Sequence, residues 1–211
     1  MQASGTPGLL MKLLSDLEGK KGCYVLLFFL PGRTSFCAGA LGEVCLSRGA
    51  YAYVGSAMNG QKGRIERYFR PERKRRWHVD YLVDAAQVRA IITENLCPQT
   101  CYLPRTGAHD SQRSQVYGGQ AALTAPCTVR IECRVSRLLR KQWPVVAHFG
   151  SSDCRCEGHL FGPASLNALQ SSVFQAFSRC GARAQLFGCP GRAEAINENR
   201  KLTAIHRGAA L

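Results

Sequence analysis

Tyr51-Ala52-Tyr53-Val54-Gly55-Ser56-Ala57, followed by Gly63-Arg64-Ile65-Glu66-Arg67-Tyr68, decides how the chain is read. The first run reads as a short strand that ends at Gly55. Asn59-Gly60 marks a turn. The second run opens a helix over about 62–70, stopped by Pro71. Ile65, Tyr68 and Phe69 form its apolar side, and Arg64 and Tyr68 stand one turn apart, so both can address one point.

A second strand precedes these pieces. Residues 23–30 are continuously apolar, short, and bounded by Gly22 and Pro31-Gly32, the pattern of a buried central strand. Only a loop and a small hairpin around 41–46 separate it from 50–54, so antiparallel pairing is expected. Outward from this centre, residues 1–8 are small or polar and are expected to lack order. Residues 9–17 carry leucines at helical spacing. Residues 77–86 form a second helix and 88–93 a third strand. Residues 95–128 show no period and read as a flexible insertion. Residues 131–141 are helical, with Cys133, Leu138 and Leu139 inward, and 144–147 suggest a short strand. Residues 149–161 form a loop dense in reactive side chains, 165–177 a candidate helix, and 181–211 a tail. The division expected is a leader and short helix at 1–19, a domain at 20–161, and a C-terminal tail at 162–211, partly helical or disordered.

The 211 residues suffice for one ordinary domain plus tails, and 45% of them are apolar. Lysine and arginine outnumber aspartate and glutamate by 28 to 14, a formal charge of +14. Such a balance points to a polyanion, nucleic acid first and an anionic membrane surface second. No apolar run approaches the ~20 residues of a membrane span. No basic n-region and h-region open the chain, so an intracellular protein, cytoplasmic or nuclear and not secreted, is expected. The eleven cysteines are then expected to be reduced thiols, and an odd count argues against full pairing.

Gly22-Cys23-Tyr24 and Tyr53-Val54-Gly55 resemble the two halves of the GIY-YIG nuclease motif, with Arg64 in the following helix where that superfamily carries an arginine. Together with Trp77-His78-Val79-Asp80-Tyr81-Leu82 and Phe149-Gly150-Ser151-Ser152-Asp153-Cys154-Arg155-Cys156, the pattern is similar to a small branch sometimes joined to a DNA glycosylase of the endonuclease III type. The resemblance covers roughly residues 20–161. It implies an α+β fold, a small antiparallel three-stranded sheet flanked by helices. It implies a Mg²⁺- or Mn²⁺-dependent DNA endonuclease, acting on duplex, branched or damaged DNA in a repair setting. Two departures stand out. Cys23 replaces the usual isoleucine, and Glu132, near its start, is the one glutamate in the 131–141 helix.

The resemblance gives Tyr24 the role of general base on a water. An unperturbed phenol titrates near ~10, so a metal or cationic cluster must lower it. Tyr53 would orient the water or phosphate, and Arg64 would grip the phosphate with its planar fork of donors. Tyr68 would either bond the phosphate or cover the core. Glu132 would hold the cation, with Asp153 as a second candidate carboxylate. A plainer reading remains for each: packed strand tyrosines, a solvated arginine, a glutamate favoured by the helix dipole. Arg67, Arg70, Arg73, Lys74, Arg75 and Arg76 form a basic stripe, adjoined by Trp77 and His78. Such a stripe suits backbone phosphates, a nuclear-import patch or a solvated linker. Cys154, Cys156 and His159 are soft-metal ligands, and Cys133 could supply a fourth for zinc. The C-x-C spacing is tighter than the common zinc knuckle. Alternatively the loop packs on the sheet, with Asp153 bonded to backbone. Function thus divides between an endonuclease and a non-catalytic nucleic-acid-binding module of the same fold.

Overall fold

The computed structural model describes residues 8–95 and 130–189. The expected insertion at 95–128, residues 1–7 of the leader and residues 190–211 lie outside the described residues, apart from Asn95. In chain order the elements are α1 (Leu9–Asp16), β1 (Gly22–Leu30), β2 (Thr34–Cys37), β3 (Glu43–Leu46), β4 (Gly49–Ala57), α2 (Gln61–Tyr68), α3 (His78–Ala85), β5 (Gln87–Asn95), α4 (Ile131–Arg140), β6 (Val145–Val146), β7 (Leu160–Ala164), α5 (Leu166–Arg179) and β8 (Arg183–Gly188).

β1 sits in the middle of a six-stranded sheet of order β6-β7-β4-β1-β5-β8, in which every pairing is antiparallel. Its continuous apolar run follows from this place, because helices cover both faces. Alternation sends Tyr24, Leu26, Phe28 and Leu30 to one side, with Tyr51 and Tyr53 of β4. α1, α2, α3 and the β2–β3 hairpin cover that side, through Leu10, Leu13, Ile65, Tyr68, Leu82 and Val44 among others. Cys23, Val25, Leu27, Ala52 and Val54 face the other side, against Val135 and Leu139 of α4 and Leu169, Val173 and Phe177 of α5. Ser165 caps α5, its side chain accepting from the Ala168 amide at 3.3 Å.

The α+β class is as expected, but the sheet is not the small three-stranded one. Three further strands widen it: β6 lies within the short strand suggested at 144–147, and the other two are hard to read locally. β6 has two residues. β7 carries Gly162-Pro163, which reads as a turn. β8 is an edge strand with Phe187 as its single buried residue, so period-2 contrast is weak. Residues 162–188, expected as tail, therefore supply part of the sheet and its longest covering helix. No helix among the described residues is long and apolar enough to cross a membrane.

Candidate functional site

Register brings the two halves of the opening pattern together. Tyr24 of β1 pairs with Gly55 of β4, and Leu26 with Tyr53. The Tyr24 ring lies over Gly55 so closely that a Cβ there would meet it at 2.5 Å. Glycine at 55 is thus the space in which Tyr24 rests. A similar fit holds Tyr53. Gly150, at φ +74°, approaches its ring, and a Cβ would meet it at 2.7 Å. Phe149 packs edge-on against Tyr53, with ring centroids 6.1 Å apart. β7 pairs Leu160 with Tyr53, and the Val54 amide donates to the His159 carbonyl at 2.9 Å, which carries the 149–159 loop alongside.

α2 then lowers two side chains onto the tyrosines. The Tyr68 and Tyr24 hydroxyls share a hydrogen bond of 2.5 Å. One turn back, the Arg64 guanidinium lies 3.9 Å from the centre of the Trp77 ring, near enough to Tyr68 for its charge to oppose the rise in that phenol's pKa. Tyr24, Tyr53, Arg64 and Tyr68 therefore converge. Arg64 is half-buried and, among the described residues, has no carboxylate partner.

The phenols do not meet the requirement expected of a base. Burial pushes Tyr24 well above the ordinary phenol range, and the neighbouring Tyr68 and Tyr53 add to it. Tyr53 is raised by burial first and then by Tyr68, and burial raises Tyr68 as well. Arg64 pulls all three the other way and does not prevail. All three are neutral phenols, able to donate and to accept. A folded-state pKa raised above an unfolded value near ~10 stabilises the fold at lower pH, and that stability is lost as pH climbs past 10. In an alkaline titration followed by tyrosinate absorbance, Tyr24, Tyr53 and Tyr68 should ionise only together with loss of the helical circular-dichroism signal. Ionisation of these three near pH ~10 with the fold intact would contradict their burial.

The basic stripe divides by partner. Asp80, fully buried, accepts from two Arg67 nitrogens at 2.5 and 2.8 Å and from the Arg76 and Trp77 amides at 2.7 and 3.0 Å. Arg67 also reaches the Lys74 carbonyl. Arg73, with its side chain 4% exposed, donates to the Asp80 carbonyl and to Asp84. Arg75 is exposed but also holds Asp84, at 3.0 Å. Arg67 and Arg73 are thus spent on folding the 70–77 link. Lys74 and Arg76 are exposed and, among the described residues, lack a carboxylate partner. His78 is not directed at solvent. Its Nδ1 accepts from the Gly150 amide at 3.1 Å, its ring packs on Phe149, and burial lowers its pKa. Asp80 and Gly150 entered the sequence reading only as members of the motifs that carry the resemblance, with no role given to either. Asp80 had one local signal, an acidic residue three positions after a helix N-cap.

The carboxylates come from elsewhere. Glu132 is buried on α4, the helix that covers the face opposite the tyrosines. Burial raises its pKa, opposed by Arg130. Asp153, after Asp80, is a carboxylate whose charge raises the Tyr53 pKa. It is held chiefly by Arg130, at 2.5 Å, rather than by backbone alone. The same Arg130 nitrogen stands 3.8 Å from Glu132 Oε1. Hard carboxylate oxygens therefore already gather round one positive charge, the donor chemistry that Mg²⁺ or Mn²⁺ takes.

Behind these carboxylates, Cys133, Cys154, Cys156 and His159 bring one ligand atom each to within 4.8 Å of one another and could hold a metal ion such as zinc. Cys133, the fourth ligand that the sequence suggested, is part of the group. Comparison with known proteins adds a family and no activity. The family model described as "Domain of unknown function DUF123" matches residues 23–119 and 108–182. No curated protein and no solved structure matches the chain.

Proposed function

We propose that this chain, which belongs to the family described as domain of unknown function DUF123, is a metal-dependent DNA endonuclease that hydrolyses phosphodiester bonds. The reading rests on the GIY-YIG resemblance of Gly22-Cys23-Tyr24 and Tyr53-Val54-Gly55 and on one observation above all. Arg67, Arg70, Arg73 and Arg75 each have a carboxylate, whereas Arg64, beside the three phenols, has none among the described residues. A half-buried guanidinium aimed at neutral hydroxyls suits a phosphate dianion or diester as its counter-charge.

In this reading Arg64 grips the scissile phosphate, and Trp77 holds the guanidinium plane from behind. Tyr24 contacts the attacking water. Its hydrogen bond to Tyr68 leaves its oxygen a further site, with which the neutral phenol holds the water by a hydrogen bond and orients it. Tyr53, packed against Phe149 and Gly150, orients the phosphate. A divalent cation held by Glu132 and Asp153 in place of Arg130 would supply charge stabilisation and acidify bound water. Lys74 and Arg76 would track the DNA backbone.

One observation favours the non-catalytic module instead. Arg130 already neutralises Asp153 and Glu132, and Glu132 lies on the helix of the opposite face. Incubation with branched, nicked and abasic DNA in Mg²⁺ or Mn²⁺ separates the two. The endonuclease reading expects cleavage of at least one substrate. Salt-sensitive binding without any cleavage would favour the module.

A further inference from the structure

We propose that Cys133, Cys154, Cys156 and His159 form a closed structural zinc site that fastens α4 to the loop between β6 and β7. Their ligand atoms all lie within 4.8 Å of one another. In a tetrahedral site with Zn–S near ~2.3 Å, sulfurs stand roughly 3.8 Å apart, so a small contraction completes the shell. A dinuclear iron–sulfur cluster would set ligands on its two irons further apart than this, and a group this compact suits one ion. Three thiolates and an imidazole are also the donors that zinc takes in structural sites. With four protein ligands no position stays open for substrate.

Loop burial carries the same message. Residues 152–157 have no regular structure, and all are exposed except Cys154 and Cys156, which turn inward. No apolar side chain among these six anchors the segment. Its inward-facing groups are the two thiols, and they meet Cys133 of α4 and His159 at the foot of β7. Cys154 Sγ lies 3.5 Å from His159 Nε2. The His159 carbonyl accepts from the Val54 amide at 2.9 Å, and the His159 amide donates to the Phe149 carbonyl at 2.7 Å. The backbone that presents the imidazole is thereby fixed before any metal arrives. None of the eight described cysteines is in a disulfide, so none competes for these sulfurs. On binding, each thiol that ligates releases its proton to solvent as its Zn–S bond forms.

Zinc here would brace the neighbouring site. Glu132 precedes Cys133 and Asp153 precedes Cys154, so the ion fixes the backbone that presents both carboxylates. Only this effect on cleavage rests on the endonuclease reading. The zinc site stands on its own geometry.

The 211-residue chain purified under reducing conditions without added zinc should carry about one zinc per chain by elemental analysis. Replacement by Co²⁺ should give the intense visible bands and thiolate charge-transfer band of tetrahedral sulfur-rich cobalt. Cys133→Ser and Cys156→Ser should each lose the metal, whereas Cys45→Ser, on the exposed hairpin, should keep it. Because those two variants can fail to fold, chelation of the wild-type protein gives a second measurement. Its melting temperature should fall by roughly 10 °C or more and recover with Zn²⁺ but not Mg²⁺. Folded, reduced wild-type protein without zinc, whose melting temperature ignores added Zn²⁺, would overturn the proposal. So would stoichiometric zinc retained in Cys133→Ser and Cys156→Ser. Neither result depends on whether the protein cuts DNA.

Discussion

Asp80→Ala should cost about 3–5 kcal/mol of stability, the largest loss expected from any single change in the described chain. The carboxylate is fully buried and meets Arg67, the Arg76 and Trp77 amides and, at 4.0 Å, the Arg73 Nε. Removing it leaves the Arg67 guanidinium, 16% exposed, without its carboxylate, along with two backbone donors at the start of α3, whereas Arg73 keeps Asp84 and the residue-80 carbonyl. Leaving buried charge unpaired is what makes the loss large, more than the worth of the pair itself. Burial would raise the Asp80 pKa, but its hydrogen bonds with Arg67 and the two amides lower it on balance. A folded-state pKa below the unfolded ~3.9 means the stabilisation is present above pH ~4 and is lost as pH falls through the folded value. Denaturant unfolding at pH 7 and along the acid limb checks both statements. Wild-type protein should lose stability below pH ~4, and Asp80→Ala should show less of that slope. A change under ~1 kcal/mol at neutral pH would mean the network is not formed in solution.

Arg64→Ala should reduce cleavage by about 10²–10³-fold while shifting stability by less than ~1 kcal/mol. Arg67→Ala, three residues along α2, should do the reverse. The two arginines share one tryptophan, at 3.9 and 4.6 Å from its ring centre. They differ in what else they hold. Arg67 grips buried Asp80, whereas Arg64 has no acid to release and faces Tyr68. Single-turnover rates beside melting curves for both variants separate the roles. If Arg64→Ala melts far below wild type, or if Arg67→Ala alone loses cleavage at full stability, the assignment of the phosphate contact is wrong.

How much of this could be read beforehand depended on range. β1, β4 and α2 were legible because each is defined by its own residues. An uninterrupted apolar run between Gly22 and Pro31-Gly32 suits a strand covered on both faces, and Pro71 ends α2 close to where it stops. The convergence of Tyr24, Tyr53, Arg64 and Tyr68 followed once those elements were paired. What could not be read was set by partners distant in sequence. Gly150 makes room for Tyr53 across nearly a hundred residues, and nothing near Gly150 announces it. The phenols were expected to need a lowered pKa, but depth of burial is a property of the assembled layers and sets the opposite direction. Arg73 looked like one more cation in a stripe until Asp84 of the next helix claimed it. The width of the sheet stayed hidden because β7 is marked by Gly162-Pro163 and β8 has one inward side chain.

The central claim is that Arg64 and the Tyr24–Tyr68 pair act directly on a phosphodiester. Single-turnover cleavage by the Tyr24→Phe/Arg64→Ala double variant tests it most directly, on whichever DNA the wild-type protein cuts in Mg²⁺ or Mn²⁺. Removing the Tyr24 hydroxyl and the Arg64 guanidinium should leave the fold and salt-dependent DNA binding in place and abolish cutting, a fall of at least ~10³-fold. Cleavage within about tenfold of wild type, by a variant that melts as wild type does, would contradict the account.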